Sequence, residues 1–152
     1  MSHDHAACMA PSLKAAENLG AKLTPLRRRV LEIVLAGHTP MGAYDVLATL
    51  ARDGGKPAPP TVYRALDFLQ AQGLVHRIDS RNAFVACFAP ERSHQSRFFL
   101  CRACGRASEI EDAALDAALA AAAKRAGLTV ERETIEITGV CAECASSHGP
   151  AA

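Results

Sequence analysis

PAPPTVYRALDFLQAQG, residues 57–73, decides the fold. A proline-rich entry leads into a segment in which Val62, Ala65, Leu66 and Leu69 recur at i, i+3, i+4 and i+7, the spacing of one buried helix stripe. Gly73 ends the helix, and the opposite side carries Tyr63, Arg64 and Asp67, with Phe68 nearer its edge. LVHRID (74–79) and AFVACFA (83–89) follow as two alternating strands joined by SRN (80–82), a short β-hairpin. Upstream, LTPLRRRVLEIVLAG (23–37) reads as a helix with Thr24 as cap, Pro25 at its first position and Gly37 at its stop. Its buried stripe is Leu26, Val30, Ile33 and Val34, and Arg27, Arg28 and Arg29 lie at or near the exposed side. A further helix fits AYDVLATLARD (43–53), and another fits residues 12–19, ended by Gly20. Residues 1–10 read as disordered. Helices, then a basic helix, then a hairpin outline a winged helix-turn-helix over residues 1–88.

The exposed side of this helix suits DNA. Arg64 fits a bidentate contact to a guanine edge, Tyr63 a thymine methyl or a phosphate, and Thr61 with the helix N-terminus a phosphate. The alternative is an amphipathic helix with ordinary charges. Charge distribution favours DNA: residues 1–88 hold ten Lys and Arg against seven acids, while 89–152 hold seven against nine.

After a polar connector at 89–97 the composition changes. FFL (98–100) and ASEIE (107–111) read as short strands, Asp112 caps an Ala/Leu helix at 113–126, and Gly127 ends it. TVERETIEITGV (129–140) reads as a strand with Ile135 and Ile137 on one face. Residues 98–152 thus form a small α/β domain, and the whole chain is α+β. The alanine-rich side of the helix suits contact with a second copy.

FFLCRACGR (98–106) and TGVCAECASS (138–147) each place two cysteines with two residues between them. Cys101, Cys104, Cys141 and Cys144 have the spacing of a four-thiolate zinc site, in which two tight turns complete one tetrahedron. Gly105 gives the first turn its backbone freedom. The alternative, a pair of redox dithiols, would place a motif at a helix N-terminus after a strand, whereas these flanks read as extended. Such a zinc is closed to chemistry and accounts for stability, not function.

The 152-residue length bounds the chain to one domain or two small ones, and 49 % apolar residues allow a core, although Trp is absent. MSHDHAACMAP has no apolar signal core and no run reaches the length of a membrane span, so a cytoplasmic protein with reduced cysteines is expected. An enzyme would need a helix-borne active cysteine or an open three-ligand zinc with a nearby base, and the sequence supplies neither clearly. A zinc-ribbon module without DNA binding would leave Tyr63 and Arg64 unexplained.

PPTVYRALDFL, followed by FxxCxxCG and a late CxxC, resembles the ferric uptake regulator family of metal-sensing repressors over about residues 13–145. The resemblance implies a winged-helix domain, a hinge, a dimerisation domain holding a structural four-cysteine zinc, and a regulatory metal site at the hinge. Iron and peroxide members carry a His-rich run before the first CxxC, where this chain has SHQS with His94 alone. The zinc-sensing branch uses His, Cys, His and Glu, matched here by His76, Cys87, His94 and Glu109. Two nitrogens, one thiolate and one carboxylate suit tetrahedral zinc, and the thiolate disfavours harder ions. The implied protein is a homodimeric, zinc-responsive repressor of zinc-uptake genes that binds a pseudo-palindromic operator and holds two Zn(II) per chain. The alternative within the family is a sensor of iron, nickel, manganese or peroxide. His3, His5, Cys8, His38 and His148 are not assigned as ligands; His38 is out of register with the following helix.

Overall fold

The computed structural model describes residues 5–37, 39–87, 90 and 95–147, with side chains from Pro11 onward apart from that of Ala21. The chain divides into two compact units, Met1–Ser93 and His94–Ala152.

The first unit begins with α1 (His5–Glu17), which passes through Pro11. Residues 5–10 are therefore helical, where the sequence reading expected disorder; the Ala-rich run HAACMA has the propensity to extend the helix backwards. Residues 1–4 lie outside the described part. Gly20, at φ +56°, closes the segment and leads into a single 3₁₀ turn, Gly20–Lys22.

Helix α2 (Pro25–Ala36) starts as its sequence dictates, with the Thr24 side chain accepting from the Arg27 N–H and Pro25 at the first position. Val30, Leu31, Ile33, Val34 and Leu35 are buried, and Leu26 is half-buried. Helix α3 (Ala43–Arg52) is capped by the Asp45 carboxylate, which accepts from the Gly42 N–H at 3.2 Å. Helix α4 (Pro59–Ala71) buries Val62, Ala65, Leu66 and Leu69, the four residues that its periodicity singles out. These side chains join Val30, Leu31, Leu35, Val46 and Leu50 in one core.

Strands β1 (Val75–Ile78) and β2 (Ala83–Ala86) form the antiparallel wing, with Val75 opposite Ala86 and His76 opposite Val85. A 3₁₀ turn, Asp79–Arg81, joins them and ends on Asn82 at φ +46°, a left-handed position that asparagine tolerates. Met41 pairs with Phe84 by two 2.8 Å main-chain bonds, tying the start of α3 to the wing. β2 is buried throughout and does not show the burial alternation of a one-sided strand.

The second unit is a three-stranded sheet of order β4-β3-β5, in which β3 (Ser96–Cys101) pairs antiparallel with β4 (Ala107–Glu109) and parallel with β5 (Thr134–Gly139). The crossover runs through α5 (Ala113–Ala126), capped by the Asp112 carboxylate and stopped by Gly127 at φ +66°. Phe98 and Leu100 are buried, yet α5 has no buried residue. Phe99, 52 % exposed, and its register neighbour Ile137, 45 % exposed, form an apolar strip open to solvent. Ile135, on the same side of β5, is half-buried. A short helix, α6 (Ala142–Ser147), follows β5; the sequence reading had no element there. No helix among the described residues is long and apolar enough to cross a membrane.

Candidate metal centre and nucleic-acid interface

The parallel pairing of β3 and β5 sets Cys101 beside Gly139, so both strands end at the same edge of the sheet. The chain turns after Cys101 with Gly105 at φ +78°, and the Gly105 N–H donates back to the Cys101 carbonyl at 3.0 Å. Two residues beyond Gly139 comes Cys141, and Cys144 follows on the first turn of α6. The sulfur atoms of Cys101, Cys104, Cys141 and Cys144 all lie within 4.8 Å of one another, and those of Cys104 and Cys141 are 3.9 Å apart. A tetrahedron with zinc–sulfur bonds of about 2.3 Å has an edge of about 3.8 Å, so the four thiols fit such an ion. The second CxxC pair does overlap a helix start, contrary to the extended flank expected. The convergence of both pairs into one cluster, which a redox dithiol does not require, is what favours metal.

Electrostatics within the cluster is uneven. The backbone N–H of Cys104, and after it that of Cys141, pulls the Cys101 thiol down to about 6. The Cys141 thiol beside it, followed by burial and the other sulfurs, pushes Cys144 up to about 12. Four crowded sulfurs cannot all carry charge without a cation among them, and a divalent ion relieves that repulsion. Arg106, just past the first turn, donates to Glu143 at 3.1 Å and links the two cysteine segments.

A second donor pair lies on the wing. His76 is on β1, and Cys87 sits one residue beyond β2, on the same side as Val85. Both are buried, and their ligand atoms lie within 4.8 Å. Glu109 ends β4 in the second unit, half-buried and opposite Phe98. His94 and His38 lie outside the described residues.

On α4, Arg64 is exposed and has no hydrogen-bond or ion-pair partner among the described residues, while Thr61 is half-buried. Tyr63 is half-buried and packs against the core, so only part of it is open to solvent. The helix N-terminus has fewer donors than expected. Pro59 and Pro60 lack an N–H, and those of Thr61 and Val62 donate to the Ala58 carbonyl at 3.0 and 3.4 Å. A phosphate there would meet the helix dipole and the Thr61 hydroxyl, with little free backbone.

The three arginines of α2 are engaged within the unit. Arg27 lies over the Phe68 ring, 3.7 Å from its centroid, and donates to the Lys22 carbonyl at 2.6 Å. Arg28 pairs with Glu17 at 3.1 Å and Glu32 at 3.4 Å, and Arg29 with Asp53 at 2.7 Å. Sequence reasoning passed over Tyr44, 67 % exposed in the first turn of α3. The signal available was an aromatic at a solvent position beside the cap, which periodicity alone does not flag.

Residues 18–138 match the profile of the ferric uptake regulator family. The chain is 34 % identical over 137 residues to the zinc uptake regulation protein of Escherichia coli strain K12, covering 90 % of this chain and 80 % of that protein. Among solved structures it is similar to a zinc uptake regulator complexed with zinc and DNA, with a TM-score of 0.83, 32 % identity and coverage of 96 % and 98 % of the two chains. It is likewise similar to holo XcZur, with a TM-score of 0.79, 40 % identity and coverage of 94 % and 99 %.

Proposed function

The chain belongs to the ferric uptake regulator family, and from that premise we propose that it is a zinc-responsive DNA-binding repressor of zinc-uptake genes. It is not an enzyme, and it acts as a homodimer in the cytoplasm. Residues 1–88 form the DNA-binding domain, 89–97 the connector and 98–152 the dimerisation domain. The observation that carries this reading is the buried His76–Cys87 pair on the wing that follows the Arg64 helix.

Two zinc ions per chain are assigned. The structural ion takes Cys101, Cys104, Cys141 and Cys144. The regulatory ion takes His76, Cys87, His94 and Glu109, a mixed set that suits zinc and disfavours harder metals. A Zn(II) held there would supply a cross-link. His76 and Cys87 then commit the wing, His94 the connector and Glu109 the second domain to one arrangement. That arrangement gains only the difference in zinc affinity between it and the open form. Arg64 reads a guanine edge and Thr61 and Tyr63 hold the backbone, while the open apolar strip of Phe99 and Ile137 with the alanine side of α5 suits the second copy.

Zinc per chain, measured before and after mild chelation on samples also assayed for operator binding, tests the reading. Two zincs are expected, one stripped easily together with DNA binding and one retained. A single tight zinc that added Zn(II) cannot supplement would remove the regulatory site.

A further inference from the structure

We propose that Ser12 on α1 is a positioning residue for Cys87, which makes the first helix a working part of the zinc sensor. The inference rests on the reading of Cys87 as a regulatory ligand. Ser12 is fully buried, at 0 % exposure, and its hydroxyl donates to the Cys87 carbonyl at 2.8 Å across 75 positions of sequence.

The need for this donor follows from the hairpin. With Val75 opposite Ala86, Leu74 stands opposite Cys87, and the Cys87 N–H donates to the Leu74 carbonyl at 2.9 Å. In an antiparallel pair of that kind the two residues exchange both bonds, so the Leu74 N–H should return to the Cys87 carbonyl. It does not: it closes the end of α4 by donating to the Leu69 carbonyl at 2.9 Å. Ser12 therefore replaces the missing ladder donor. Both main-chain groups of Cys87 are thus held although the residue lies outside β2.

A serine inside a helix ordinarily turns its hydroxyl back to its own backbone, at a small cost to the helix. Here the hydroxyl is turned to another element. α1 is seated beside it by buried Ala16 and by Leu13 and Ala15 against the core. Seating of α1 and placement of the Cys87 backbone, from which the thiol projects, are thus coupled. Linkage makes the effect mutual: if seated α1 favours zinc at the regulatory site, zinc there must favour seated α1.

The test uses full-length protein that retains its four-cysteine zinc. Zinc affinity of the exchangeable site is measured by competition with a chromophoric chelator, and Co(II) loading is followed by its thiolate charge-transfer band. Ser12→Ala is expected to weaken zinc about three- to tenfold, the loss of one net hydrogen bond, and Ser12→Thr to restore it. Independently of any variant, amide exchange of α1 in the wild type should slow when the exchangeable site is filled. Unchanged affinity in a folded Ser12→Ala protein, even one of lower Tm, would overturn the proposal, as would α1 exchange indifferent to zinc. A wild-type exchangeable site without a thiolate–Co(II) band would instead refute the regulatory reading of Cys87 itself.

Discussion

The sulfur atoms of Cys104 and Cys141 lie 3.9 Å apart, although the residues are 37 positions apart in sequence. The contact joins the segments that follow two parallel neighbours, β3 and β5, in a unit whose long helix α5 buries no residue. A metal cross-link there would stand in for hydrophobic core. Structural zinc contributes on the order of 10 kcal/mol or more to folding in small domains. Cys104→Ser should therefore leave the protein without its retained zinc and with residues 98–152 unfolded at 25 °C. Metal analysis and a thermal melt check this, and a variant that kept its zinc and its melting profile would contradict the assignment.

Cys87→Ser should behave differently. Cys87 is buried on the wing and contributes to no part of the four-cysteine cluster. The variant should remain a folded dimer with one retained zinc. Its exchangeable zinc should weaken by more than about 100-fold, the upper end of what merely orienting partners cost. Sedimentation and operator binding across a zinc titration decide it; zinc-dependent binding that persisted would refute the sensor assignment.

Arg64 and Arg27 separate recognition from stability. Arg64 is exposed and without a partner among the described residues, so Arg64→Ala should leave Tm unchanged and weaken operator binding by about 1–3 kcal/mol, with relaxed preference at one base position. Arg27 stacks on Phe68 and holds the Lys22 carbonyl. Arg27→Ala should lower stability by roughly 0.5–1 kcal/mol and leave sequence preference alone. Anisotropy with operator and single-base variants, beside thermal melts, distinguishes the two.

What the sequence disclosed follows from how local each signal is. The α4 stripe was legible because Val62, Ala65, Leu66 and Leu69 are set by a period that any helix must obey, and the α5 boundaries because Asp112 and Gly127 act on their own turns. The four cysteines were legible from spacing. Illegible features depend on partners far along the chain. Nothing near Ser12 announces a bond to Cys87, and nothing in the RRR run announces that all three side chains are spent on Phe68, Glu17, Glu32 and Asp53. The missing backbone donors of α4 could have been read, since Pro59 and Pro60 have no N–H to give. Helix α6 is six residues long, too short to show a period.

Arg97 belongs to the same illegible class and gives the last prediction. Its side chain is 5 % exposed at the start of β3, where it pairs with Glu133, 17 % exposed, and Asp116, 61 % exposed. The Glu133 hydrogen bond first, and the Asp116 bond second, raise the guanidinium well above its ordinary range, so it stays charged at every working pH. A cation held out of water needs its more enclosed partner most, because that carboxylate cannot be replaced by solvent, whereas the exposed one can. Glu133→Gln should therefore lower the Tm of the zinc-loaded protein more than Asp116→Asn does, and the smaller effect should shrink further in high salt, which screens the exposed pair. Thermal melts of the two variants at low and high ionic strength check the order. A larger loss from Asp116→Asn would show that Arg97 is anchored through α5 and not through the segment entering β5.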